Sequence, residues 1–176
     1  MIDLDFIAEL EGNKRKAYVP KSGSSGVTIG LGLDIAAFGD LTQLELPEEL
    51  LRKLQPYQGY RRETAEIFLE DNPLELSEEE VSVLNQCLIN YKARVVRSLW
   101  NRDSHLDWCN DLDYKMQTVV FSVLHQYGSP KRVPQFWSYA TRGLWAKVID
   151  ELRDFGDKYP TRRNKEANYL QESMNV

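Results

Sequence analysis

A chain of 176 residues with 42% hydrophobic and 28% charged side chains can bury one proper core, which excludes an intrinsically disordered protein. A formal net charge of −5 argues against nucleic acid as the main partner. No apolar run approaches the roughly 20 residues of a membrane span.

The opening residues, Met1-Ile2-Asp3-Leu4-Asp5, lack the basic and apolar regions of a signal peptide. Synthesis in the cytoplasm, with delivery by other means if the target lies outside it, is the expectation. Asp3 can cap a first helix that sets Leu4, Ile7, Ala8 and Leu10 on one face and stops at Gly12. Glu11 then falls in the last turn, where the negative end of the helix dipole disfavours the ionised form, as a general acid needs. Taken alone, a glutamate there is first of all a solvated helix end. Lys14 to Lys16 read as a solvated basic face. Ala17-Tyr18-Val19 is strand-like, Pro20 to Gly26 is a polar turn, and Val27 to Leu33 is the matching strand. Gly30 and Gly32 permit a bulge or close backbone approach. They form no dinucleotide fingerprint, since the third glycine and a βαβ context are missing.

Beyond Asp34 the pattern is helical. Asp40 or Thr42 can cap a segment, and Pro47 opens Glu48 to Leu54. Tyr57 to Tyr60 is a turn, and Arg61 to Glu70 has helical spacing. Ser77-Glu78-Glu79-Glu80 is a capping box for a long helix with Val81, Leu84, Leu88, Tyr91 and Val95 inward. Asn101 to Asp111 interrupts. Leu112 to Gln126, Pro130 to Thr141, Leu144 to Phe155 and Thr161 to Glu172 follow as helices. The expected fold is α+β and mostly α: a small antiparallel sheet against a helical lobe. Without repeats or a linker, the chain reads as one domain, with an active-site lobe over 1–60 and a helical lobe over 61–176.

The chemistry concentrates in the first fifth. Glu11 and Asp34 are carboxyl groups on separate rigid elements, with the Thr28 hydroxyl between them in sequence. Sugar hydrolysis by inversion asks for such a set: one acid protonates the leaving oxygen while the other activates a water, across a separation of roughly 6.5–9.5 Å. Gln126-Tyr127-Gly128 either lines a sugar cleft or caps a helix over a buried tyrosine. Trp100, Trp108, Trp137 and Trp145 read as core before substrate platform. His105 and His125 stand alone, and no GxSxG or Cys/His arrangement supports acyl chemistry. Cys87 and Cys109 fit no zinc spacing; thiols are expected, with a disulfide after export left open.

Glu11-Gly12, Ala17-Tyr18 and Gly26-Val27-Thr28-Ile29-Gly30-Leu31-Gly32 together resemble the N-terminal active-site segment of phage-type lysozymes. Tyr18-Val19-Pro20-Lys21 with Ser25 to Gly30 and Leu33-Asp34 is similar still more to the pesticin-like toxins, whose killing domain is a phage-lysozyme homologue. Thr161 to Ala167 resembles the arginine-rich C-terminal helix of the group. The resemblance implies a lysozyme-like fold and a muramidase that cuts peptidoglycan, with Glu11 as general acid and Thr28 and Asp34 holding the water. In the simple phage enzymes the second carboxylate precedes the threonine. Here Lys21 to Gly26 contains no acid, and Asp34, past the threonine, matches the toxin pattern. Tyr18, Gln126 and Arg163 are the expected substrate contacts. Arg162 or Arg163 either pairs with Glu11 or serves surface charge. No metal or cofactor is implied. The partners implied are peptidoglycan strands, an immunity protein and delivery machinery, with action in the periplasm or wall of a target bacterium. The alternatives are a non-catalytic peptidoglycan-binding module of the same fold and a phage endolysin.

Overall fold

The computed structural model describes residues 2–21 and 24–174. Helix α1 (Leu4–Glu11) runs into strand β1 (Lys14–Tyr18), and the pair β2 (Thr28–Gly30) and β3 (Leu33–Asp34) completes an antiparallel sheet in the order β1-β2-β3. The helices α2 (Ile35–Phe38), α3 (Glu48–Leu54), α4 (Arg62–Asp71), α5 (Glu78–Asp103), α6 (Tyr114–Tyr127), α7 (Pro134–Thr141), α8 (Trp145–Arg153) and α9 (Pro160–Met174) follow. The chain is thus mostly helical with one small sheet, as its periodicity predicts. Of the expected turn Pro20 to Gly26, Ser22 and Gly23 lie outside the described residues.

Local chemistry accounts for the element ends. Gly12 stops α1 at φ 75°, its N–H bonded to the Ala8 carbonyl at 2.9 Å. The Ser77–Glu80 capping box forms as expected, with Glu80 N–H to Ser77 Oγ at 3.1 Å and Ser77 N–H to Glu80 Oε2 at 2.9 Å. Asp113 caps α6 through bonds from the Lys115 and Met116 N–H groups, and Gly128 ends it at φ 74°.

Three expectations are corrected. Val27 to Leu33 is no single strand: at Leu31-Gly32 it turns back, and the two halves pair as β2 and β3. Gly30 at φ 63° and Gly32 at φ 86° supply the left-handed backbone that this tight reversal requires. The long helix outruns its predicted break at Asn101 and ends at Asp103. Val95 is 46% exposed, whereas Val96 and Trp100 are buried. Val96 and Trp100 lie beyond Tyr91, in the part of α5 that belongs to the second unit, so the buried face there is set by a different core from the one that buries Leu84 and Leu88.

The chain divides into two units, one being Leu4–Tyr91 and the other Met1–Asp3 with Lys92–Val176. The division falls inside α5. In the first unit, Ile7, Val27, Ile29, Leu33, Leu54, Leu84 and Leu88 are all buried. In the second, Trp100 is the centre of an aromatic cluster, with Trp108, Trp137 and Trp145 ring centroids at 5.4, 5.8 and 6.4 Å. All four tryptophans are buried, so they are core. Cys87 and Cys109 are thiols, and burial beside Glu45 pushes the Cys87 group up from its ordinary value.

Candidate active site

Four of the six candidate residues lie in the first unit. Glu11 is the final residue of α1, half-buried, with its Oε1 atom shielded from solvent. From there only Gly12 and Asn13 intervene before β1, so helix end and sheet are joined by the shortest of links.

Across the sheet Tyr18 on β1 stands opposite Thr28 on β2, and Thr28 stands opposite Asp34 on β3. Residues directly opposite in an antiparallel ladder project from the same face, about 4.5–5.5 Å apart at Cβ. Tyr18, Thr28 and Asp34 therefore form one row. The Lys14 ammonium lies 4.2 Å from the Tyr18 ring centroid, so the ring carries a cation on one side.

A single residue, Gly26, sets the two polar members of that row through its backbone N–H and C=O. The Thr28 hydroxyl donates to the Gly26 carbonyl at 3.2 Å, and the Gly26 N–H donates to both Asp34 carboxylate oxygens at 3.2 Å. Asp34 Oδ1 also accepts from the Ala37 N–H at 3.0 Å, which makes Asp34 the N-cap of α2. Its role as a cap was not legible in the sequence. The Thr28 proton is committed to Gly26, so the buried hydroxyl presents only lone pairs to anything else that binds it. Asp34 Oδ2 shares one bifurcated N–H and keeps acceptor capacity.

Gly26, read from the sequence as the end of a turn and the head of the family-like segment, has a positioning role that the sequence does not show. A Cβ there would sit 2.6 Å from both the Ala36 Cβ and the Tyr60 carbonyl oxygen, and 3.2 Å from Asp34 Oδ1. The segment is strapped in place. Arg61 pairs with Gly26 as an antiparallel bridge, and its guanidinium donates to the Ala36 carbonyl at 2.8 Å. The Arg62 N–H bonds the Ser25 carbonyl at 2.9 Å, with Arg62 itself at φ 52°. Gly26→Ala is expected to cost about 1–3 kcal/mol through overpacking against rigid backbone. Denaturant unfolding checks this, and wild-type stability in the variant would contradict the packing described here.

Asn85 on α5 is a second such residue. Its Oδ1 accepts the Leu31 N–H at 3.0 Å, and its Nδ2 donates to Asn13 Oδ1 at 2.9 Å. It thus couples the link after Glu11 to the β2–β3 turn. A polar residue among the inward positions Leu84 and Leu88 was the signal that could have marked it.

Gln126 and Arg163 fall in the other unit, where they bond each other. Arg163 is 1% exposed, and its guanidinium also engages Glu166 and, at 2.9 Å, Asp157. Glu166 is fully buried and accepts from Ser122 Oγ at 2.5 Å and from Arg162 Nε at 3.2 Å. Tyr127 donates to Asp157 at 2.6 Å. Burial works against the charge on Asp157, yet bonds from Tyr127, the Tyr159 N–H and Arg163 hold its carboxyl below the usual range. This is an internal polar network, and as placed Arg163 offers a sugar no surface. His125 lies against Phe121 at 5.4 Å in the same unit, and His105 is in the exposed segment after α5. Among the described residues no group of three or more His, Cys, Asp or Glu side chains could hold a metal ion.

A helix ending in a glutamate, feeding a three-stranded sheet that aligns a threonine and an aspartate within a mostly helical chain, is the lysozyme-like α+β arrangement. Residues 1–146 match the family model for pesticin, described as a bacterial toxin homologue of phage lysozyme, C-terminal, and the chain belongs to that family. No curated protein matches it significantly.

Proposed function

We propose that the protein is a muramidase, hydrolysing the β-1,4 bond between N-acetylmuramic acid and N-acetylglucosamine in peptidoglycan with inversion at the anomeric carbon. The observation that carries this reading is the pairing of Thr28 with Asp34 in ladder register, both tied to the backbone of Gly26. Thr28, its proton given to Gly26, accepts one hydrogen of a water. Asp34 accepts the other through Oδ2, and the water's lone pair is left to attack. Glu11 supplies the proton to the departing glycosidic oxygen, so the bond to the anomeric carbon breaks as the new C–O bond forms. Asp34 takes the proton that the water loses.

The match to a bacterial toxin homologue of phage lysozyme supports this reading. The reading includes action in the periplasm or wall of a target bacterium after delivery, and an immunity protein that protects the producer. A second reading has one observation in its favour: Asp34 is occupied as a helix cap. A non-catalytic wall-binding module would use it in that way alone.

Purified sacculi separate the two. The muramidase releases new reducing ends at muramic acid, and proton NMR of early product records the α-anomer that inversion generates. Binding to sacculi without release establishes the module instead.

A further inference from the structure

The basic run Lys14-Arg15-Lys16 is placed more specifically than a solvated face requires. It lies on a strand held along both edges. On one side is β2; on the other, the Ala17 N–H bonds the Leu74 carbonyl at 2.9 Å and the Leu76 N–H bonds the Arg15 carbonyl at 3.0 Å. Asn13, Lys14, Arg15, Lys16, Tyr18 and Glu75 line most of a surface cavity of about 490 Å³ on this strand. Three cations and one carboxylate leave the lining net positive in a chain of net charge −5. Glu75 is shared between Arg15 at 3.9 Å and Lys16 at 3.8 Å, and Arg15 also reaches Glu78 at 3.2 Å. Lys14 has no carboxylate partner among the described residues; its ammonium rests on Tyr18, the first member of the row that continues to Thr28 and Asp34. A shallow cationic hollow therefore lies on the strand that carries Tyr18, in the same unit as the candidate catalytic row.

Resting on the muramidase reading, we infer that this hollow is a subsite for the peptide stem of the muramic acid residue, taking its carboxylates. A glycan threaded past Tyr18, Thr28 and Asp34 carries anions only on its muramyl arms, and Lys14 and Lys16 are exposed cations on the strand that carries Tyr18. Glu75 adds an acceptor for the ammonium of a diamino acid in the stem. The subsite acts in binding, before any bond is broken.

The test compares glycan strands bearing stems with the same strands stripped by an amidase, which leaves only the free lactyl carboxylate. Wild type is expected to show a kcat/KM about five- to tenfold higher on stem-bearing strands, carried by KM and weakened by salt, as suits exposed charge pairs. In Lys14→Ala/Lys16→Ala that ratio falls towards one, and Lys14→Arg/Lys16→Arg restores it. Equal wild-type rates on both strands, or a ratio unchanged in the double variant, overturns the subsite and leaves the muramidase standing. In parallel, an isolated stem tetrapeptide is titrated against the protein by NMR. Shifts at Asn13 to Tyr18 that vanish in the double variant support the subsite even if no strand is cleaved, in which case only the muramidase reading falls. Absence of those shifts in wild type overturns it.

Discussion

Glu11→Gln is expected to abolish sacculus hydrolysis, by about 10³-fold in kcat, while leaving the unfolding transition essentially in place. General acid–base transfer contributes typically 10²–10⁴-fold, and glutamine keeps the shape but cannot donate the acid proton. The substitution is mild for the fold because Glu11 is the last residue of α1 and α1 is stopped by Gly12, whose backbone bond to Ala8 is untouched. The measurement is released reducing ends per enzyme alongside circular dichroism. Glycan cleavage by a folded Glu11→Gln protein at near wild-type rate would remove Glu11 from the mechanism, and with it the two-carboxyl account. Loss of both signal and fold is separated from loss of chemistry by sacculus binding, which a folded variant retains.

The second effect falls on stability, in the other unit. Glu166→Gln is expected to destabilise the protein by about 3–5 kcal/mol, the usual cost of removing one partner from a buried charge cluster. Glu166 is fully buried and bonds Arg163, Arg162 and Ser122 together. Neutralising it leaves the buried Arg163 guanidinium with Asp157 as its single remaining carboxylate among the described residues. Urea unfolding should show a lowered midpoint at an unchanged slope. Arg163→Met paired with Glu166→Leu should recover part of the loss, because apolar groups of similar volume relieve the desolvation of both charges. The same series decides what Arg163 is for. A residue of the internal network loses stability when changed, whereas a substrate contact raises KM at constant stability. A stable Glu166→Gln protein would mean that the network is not as described.

The two regions differ in how their polar groups are satisfied. Around Asp34 and Thr28 the partners are backbone groups of Gly26 and Ala37, which fix orientation yet leave acceptor capacity. Around Glu166 the partners are side chains that consume one another's capacity. The first arrangement suits binding of a further polar molecule; the second suits holding α9 to α6.

Residue chemistry by itself determined which elements form and roughly where. The helical stripes, the Gly12 and Gly128 stops, the Ser77 box and the acidic pair flanking a threonine are all local signals, because capping and amphipathic period act within one or two turns of chain. It also carried the family, since the segment Gly26 to Asp34 is contiguous. What depends on spacing through the fold was decided elsewhere. That Val27 to Leu33 folds back on itself, and so brings Asp34 opposite Thr28, follows from left-handed backbone at Gly30 and Gly32, which glycine permits without requiring. The Gly26 backbone between the two side chains, the buried Asn85 bridge and the capture of Arg163 by Glu166 and Asp157 join positions far apart along the chain or set by a turn's exact course. Such polar contacts carry no periodicity, so only the tertiary structure could select them from the many that the sequence allows.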